Sequence, residues 1–107
     1  MNRLLFICGR GRLRSPTAAE VFAEYANLET DFAGVNRDAD VPVDPDQIVW
    51  ADHIFVMETA QKNRLARLFP DLIGGKKVSV LGIPDDYRFG EAALVRRLKT
   101  LVPPRVR

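Results

Sequence analysis

Apolar and polar positions come in blocks along the chain, and the period of the blocks switches between that of strands and that of helices. Leu4, Leu5, Phe6 and Ile7 form an unbroken apolar run, the pattern of a strand buried on both faces. After a stretch rich in glycine and arginine, Ser15-Pro16 predicts a helix start with serine as the cap and proline in the first turn. Ala18, Val21, Phe22 and Tyr25 then recur at helical spacing to about Ala26. A short strand from Thr30 to Ala33 closes at Gly34, and Asp44-Pro45 opens a brief helix reaching Trp50. His53 to Met57 is a second buried run, followed by a helix with Leu65, Leu68 and Phe69 on its apolar side and a stop at Pro70. Lys77 to Leu81, bounded by Gly74-Gly75 and Gly82, predicts another core strand. The last helix spans Glu91 to Leu101, with Leu94, Val95, Leu98, Leu101 and Val102 on one face. Pro103-Pro104 stops it, and residues 103–107 read as a frayed basic tail.

Strands that alternate with helices imply an α/β fold, a parallel sheet covered by helices on both faces. Ligands of such sheets bind beyond the carboxyl ends of the strands, where strand order reverses. The loop from Cys8 to Ser15 lies at such an end. With 107 residues, 47% of them hydrophobic and 28% charged, residues 1–107 are expected to form a single globular domain. The apolar run Leu4 to Cys8 is far shorter than the ~20 residues of a membrane span or the core of a signal peptide. One cysteine and one histidine exclude an internal disulfide and the usual zinc-ligand sets. The expectation is a cytoplasmic protein without metal or cofactor, and without a membrane partner.

Charge is uneven. Residues 1–14 carry Arg3, Arg10, Arg12 and Arg14 and no acid, whereas residues 29–58 carry eight acids against Arg37 alone. The positive end surrounds the only cysteine. Such a patch attracts an anion, unless nearby carboxylates balance it and leave a solvated surface.

The segment Cys8-Gly9-Arg10-Gly11-Arg12-Leu13-Arg14-Ser15 puts a thiol directly after a buried strand and an arginine six positions later, at a helix N-terminus. Glycines let such a loop turn its amide N–H groups inward as a nest for a tetrahedral dianion, and the helix dipole adds positive potential. Arg14 supplies a planar fork for two phosphate oxygens. A free cysteine with a pKa of ~8.5 is only a few per cent thiolate at pH 7, and positive surroundings raise that fraction. Cys8 is thus a candidate nucleophile, set against the plainer reading of a small buried hydrophobe closing a strand.

Taken together, Leu5-Phe6-Ile7-Cys8, Arg14-Ser15-Pro16-Thr17-Ala18, Ala33-Gly34, Ala51 to Met57 followed by Asn63, and Ile83-Pro84-Asp85-Asp86-Tyr87 resemble the low-molecular-weight protein tyrosine phosphatases. Within that fold, the resemblance is to a shorter bacterial branch of predicted tyrosine phosphatases, and it covers nearly the whole chain. It implies a three-layer sandwich around a four-stranded parallel sheet in the order 2-1-3-4. It also implies that Cys8 takes the phosphoryl group as a thiophosphate, that Ser15 assists the thiolate, and that Asp85 protonates the leaving oxygen. Arg14 and the loop Gly9, Arg10, Gly11, Arg12 and Leu13 would hold the phosphate oxygens. Larger members have a second cysteine where this chain has Leu13, and glycine-asparagine where it has Arg10-Gly11. The segment after Gly34 is compressed to Val35 through Val43 and holds no aromatic to flank a phenol ring.

Asp86 and Tyr87 are candidates for the substrate mouth, with Tyr87 and Phe89 able to stack on an aryl group or to pack beneath the loop. Arg10 and Arg12 either widen the anion site or are solvated. His53 and Trp50 read as packing groups, and Asn63 has no role the sequence assigns. The expected activity is metal-independent hydrolysis of a phosphomonoester, a phosphorylated protein or a small phosphate ester. The alternative is a catalytically idle module that binds phosphate or a phosphoprotein. Arsenate reduction, which needs more cysteines, and nucleic-acid binding, which the acidic middle and the lack of interleaved aromatics oppose, are disfavoured.

Overall fold

The computed structural model describes residues 2–106. Its elements are β1 (Asn2–Cys8), α1 (Arg14–Ala23), β2 (Leu28–Gly34), α2 (Pro45–Trp50), β3 (His53–Val56), α3 (Thr59–Leu68), α4 (Pro70–Ile73), β4 (Lys77–Val80) and α5 (Ala92–Leu101), closed by a 3-10 turn at Pro103–Arg105. The strands form a parallel sheet in the order β2-β1-β3-β4, the order the resemblance implies. No helix among the described residues is long and apolar enough to cross a membrane.

The two-residue period of β1 divides the core. Leu4, Phe6 and Cys8 face one layer with Ala18 and Phe22 of α1 and Leu94 and Leu98 of α5. Leu5 and Ile7 face the other, with Ile48 of α2 and Leu65 of α3. In the first layer Phe22, Phe6 and Phe55 stack in sequence, their centroids 5.8 and 5.4 Å apart. Cys8 therefore closes the core face that α1 covers, and the sulfur sits just under the N-terminus of that helix.

Several elements differ from their sequence reading. Helix α1 is capped two residues earlier than expected: Leu13 occupies the cap position and Ser15 lies inside the helix. The helix ends at Ala23, and the chain then turns through Asn27 at φ +67°. Pro70 ends α3 but also opens α4, because proline suits a first helical position as well as it breaks an interior one. Leu68 is 50% exposed, since the break at Phe69-Pro70 turns the chain before that face reaches the core. Strand β4 is an edge, with Lys77 exposed and its next three residues only half-buried. The tail is tied down rather than frayed: Val106 packs on the core, and the Arg105 guanidinium donates to the Leu101 carbonyl at 2.5 Å. Arg107 lies outside the described residues. The reading of α2 holds, with Asp44 accepting from the Asp46 amide at 2.7 Å and Gln47 reaching back to the Asp44 amide at 2.9 Å.

Candidate active site

Beyond the carboxyl end of β1 the chain curls through residues 9–13 and enters α1. This loop lies directly on Gly34 at the end of β2. A Cβ on Gly34 would fall 2.3 Å from the Arg10 carbonyl carbon and 2.6 Å from the Gly11 nitrogen, so only glycine lets the backbones approach so closely. Gly11 adopts φ +69° against the same surface, a left-handed conformation that other residues reach only with strain. The segment after β2 laces the loop from outside. The Val35, Asn36 and Asp40 amides donate to the carbonyls of Cys8, Gly9 and Arg10 at 3.0, 2.8 and 2.9 Å. With those carbonyls drawn outward, the Gly11 amide points inward and donates to Cys8 Sγ at 3.2 Å.

Cys8 is only 3% exposed, and its sulfur has a second partner in Ser15 Oγ at 3.1 Å. Ser15 Oγ also lies 3.3 Å from the Ala33 carbonyl. The hydroxyl has one hydrogen and two places to send it. Toward a thiol, it accepts from sulfur and donates to Ala33; toward a thiolate, it turns the hydrogen to sulfur. The serine read as a helix cap is instead a buried partner of the sulfur.

Arg14 is buried and held by two acceptors on one nitrogen. Nη1 donates to Glu58 Oε1 at 2.6 Å and to the Ile83 carbonyl at 2.7 Å, while Nε lies 3.8 Å from Asp85 Oδ1. One end of the guanidinium is thus fixed, and the Nε side faces the aspartate. Glu58, in the sequence one acid among the eight of residues 29–58, orients this arginine. Its signal was its place directly after β3, three residues before Gln61. The Gln61 side chain accepts from the Met57 and Glu58 amides at 2.9 and 3.0 Å and so fixes the turn carrying Glu58. Thr17 is a second residue the reading missed: its Oγ1 donates to the Leu13 carbonyl at 2.7 Å and accepts from the Gly90 amide at 2.9 Å. The loop bearing Asp85 is thereby tied to the start of α1.

Cys8, Arg10, Arg12, Leu13, Arg14 and Asp85 line one cavity of about 210 Å³, with the Asp85 side chain 69% exposed at its rim. Gly9 and Gly11 frame the loop rather than line the cavity. Asp86 and Tyr87, expected at the mouth, do not line it: Asp86 is exposed in a tight turn, its amide bonded to the Pro84 carbonyl at 2.9 Å, and Tyr87 packs on the α1/α5 core. Phe89, 53% exposed, lines a separate groove with Pro16 and Phe32 that does not include Cys8. Carboxylates balance much of the positive patch. Arg12 forms two bonds to Asp40 at 2.6 and 3.3 Å, and Arg10 stands 3.9 Å from both Asp38 and Asp40. The hydrogen bond from Arg12 holds the Asp40 carboxyl below the usual carboxylate range. His53 is buried, its Nε2 2.8 Å from Ser79 Oγ, and Trp50 packs on the opposite core; both are packing groups. Asn63 is exposed on α3.

No family model and no curated protein sequence matches the chain. Solved structures do. YwlE arginine phosphatase from Geobacillus stearothermophilus superposes with a TM-score of 0.71 at 23% identity, over 94% of this chain and 88% of that one. Vibrio vulnificus Wzb, in complex with benzylphosphonate, gives 0.71 at 22% identity over 94% and 91%. The low-molecular-weight protein tyrosine phosphatase of Streptococcus pyogenes gives 0.74 at 13% identity over 94% and 90%. The chain has the fold of the low-molecular-weight protein tyrosine phosphatases.

Proposed function

We propose that this chain hydrolyses phosphomonoesters, protein phosphotyrosine or small aryl phosphates, through a phosphocysteine intermediate, with residues 1–107 acting as one phosphatase domain. The observation that carries the reading is the double hydrogen bond to Cys8 Sγ at the floor of a cavity that also holds Arg14 and Asp85. A structural cysteine has no need of an inward-turned amide and a hydroxyl on its sulfur, or of an open cavity in front of it.

In this mechanism the Cys8 thiolate attacks phosphorus in line with the ester oxygen. The S–P bond forms as the P–O bond breaks, and Asp85 gives its proton to the departing oxygen. Loop amides and the Nε side of Arg14 hold the equatorial oxygens, positioned before the reaction because Nη1 is already fixed by Glu58 and Ile83. Water then attacks the phosphocysteine, Asp85 takes its proton back, and the S–P bond breaks to release inorganic phosphate and the thiolate. Ser15 serves both halves by directing its hydroxyl hydrogen to sulfur whenever the sulfur carries charge. The matching structures include arginine and tyrosine phosphatases, so removal of a phosphoryl group is the common ground, and the phosphocysteine and the aryl leaving group are the finer parts of the proposal.

The test is release of phosphate from an aryl phosphate in the presence of a metal chelator. Cys8→Ser should lose turnover while still binding phosphate or vanadate, because amides and Arg14 remain. Substantial turnover by Cys8→Ser would overturn the nucleophile, and oxyanion binding by the unaltered protein without hydrolysis of any ester would favour the idle binding module.

A further inference from the structure

Building on the phosphatase reading, we infer that a second groove beside the Cys8 cavity binds a carboxylate, so that the preferred substrate is a phosphorylated segment with an acidic residue near the phosphate. The groove has a volume of about 370 Å³ and lies between the start of α3, the chain leaving β2, and Asp85; it shares Arg14 and Asp85 with the reaction cavity. An anchored phosphate would therefore place the rest of the substrate at its entrance.

Its free cations are Arg64 and Arg67. At a spacing of three they lie on one flank of α3, and both line the groove. Arg64 donates through Nε to the Val35 carbonyl at 3.0 Å, which sets the guanidinium plane and leaves its outer nitrogens for a ligand. Among the described residues, neither Arg64 nor Arg67 has a carboxylate partner, which is also true of Arg37, Arg88, Arg96, Arg97 and Arg105, but of these unpaired arginines only Arg64 and Arg67 line the groove. The acids of the groove do not answer them, since Glu58 is engaged with Arg14 at 2.6 Å and Asp85 faces the Nε of Arg14 at 3.8 Å.

The dimensions suit a peptide. Arg64 stands six residues past Glu58, about 9 Å along the helix axis at ~1.5 Å per residue. Arg67 stands nine residues past Glu58, about 13 Å along the axis, and an extended peptide advances ~3.3 Å per residue, so an acid about two to four residues from the phosphorylated one meets this pair. A continuous polyanion fits worse, because Asp38 and Asp40 stand beside Arg10 of the neighbouring reaction cavity.

The experiment uses phosphotyrosine peptides that differ only by Glu or Gln two to four residues from the phosphate, on either side. Rates are measured with the unaltered protein, Arg67→Gln and the double variant Arg64→Gln/Arg67→Gln. The unaltered protein should favour the Glu peptide in kcat/KM, mainly through KM, by about three- to tenfold, the scale of two partly exposed ion pairs. That ratio should fall toward one in the double variant and at about 1 M salt, where screening reaches within ~3 Å. Arg67→Gln leaves the Val35 bond intact and should lower the ratio even if the double variant folds poorly. Affinities of the same peptides for Cys8→Ser protein report the ratio without turnover. Equal handling of both peptides, or a preference that survives loss of both arginines, overturns the subsite. If no peptide is hydrolysed, the phosphatase reading falls, and the affinity ratio still decides the groove.

Discussion

Replacing Gly34 with alanine should damage the reaction loop while adding only one methyl group. The new Cβ would lie 2.3 Å from the Arg10 carbonyl carbon and 2.6 Å from the Gly11 nitrogen, so the loop must retreat about 1 Å to reach the 3.4 Å of ordinary contact. It has little room to do so, because the Val35 and Asn36 amides hold the Cys8 and Gly9 carbonyls at 3.0 and 2.8 Å. Retreat would carry the Gly11 amide off the sulfur it now reaches at 3.2 Å. Overpacking of this kind costs about 1–3 kcal/mol, or roughly 5–20 °C in melting temperature for a domain of this size. A misplacement of ~1 Å at reacting groups costs about a hundredfold in rate. Aryl phosphate kinetics and a thermal melt read both effects, with Gly75→Ala as the control, since its added Cβ meets nothing within 4 Å. Wild-type kcat/KM and melting temperature in Gly34→Ala would refute the claim that close backbone contact shapes the loop.

Asp85→Asn should slow esters with poor leaving groups by about 10²–10⁴ and activated nitrophenyl esters much less, whereas Asp86→Asn, outside the cavity, should do neither; a leaving-group series for both variants checks the assignment, and the reverse pattern would transfer the role. Arg14→Lys should lose both turnover and oxyanion affinity, because a lysine cannot bridge Glu58 and the Ile83 carbonyl while still offering a planar edge; vanadate binding at wild-type strength would contradict this. Burial, aided by Lys77 and Arg105, lowers the His53 pKa from 6.5 to about 4. The unfolded chain then binds the proton first, so stability should fall as pH drops from about 6.5 toward 4, with a slope of at most ~1.4 kcal/mol per pH unit. Urea titrations across that range, with His53→Gln showing a shallower slope, test the sign.

The order of strands and helices was legible because β1 and β3 are continuous apolar runs and α5 keeps one apolar face. Boundaries failed where a residue's local preference was claimed by a distant partner. Ser15 looks like a cap beside Pro16, yet its hydroxyl is held by Cys8 and Ala33, contacts that exist only after β1 and β2 pair. Pro70 reads as a stop, and sequence alone does not say whether a new helix begins there. At the site, Cys8 and Arg14 stood out through their spacing at a strand end and Asp85 through the family resemblance, and the three line one cavity. Glu58 did not stand out, because its role depends on an arginine 44 residues away. Arg12 reads from sequence as widening the anion site or as solvated, since nothing local announces its bonds to Asp40. Tyr87 went the other way: an aromatic two residues after the acid invites a place at the mouth, but the core beneath it had room for the ring.

The lacing of the reaction loop by residues 35–40 has an evolutionary consequence. The bonds that set the loop's curvature run from main chain to main chain, so apart from Gly11, and Gly9 where a Cβ would meet Asn36 at 2.9 Å, they make no demand on which side chains the loop displays. Arg10, Arg12 and Leu13 are therefore positions where substitution changes what the cavity greets without changing its shape. On the phosphatase reading, a lineage carrying this scaffold can exchange one clientele of phosphate esters for another by drifting at three positions, while Gly11, Gly34 and the residues touching the sulfur stay as they are.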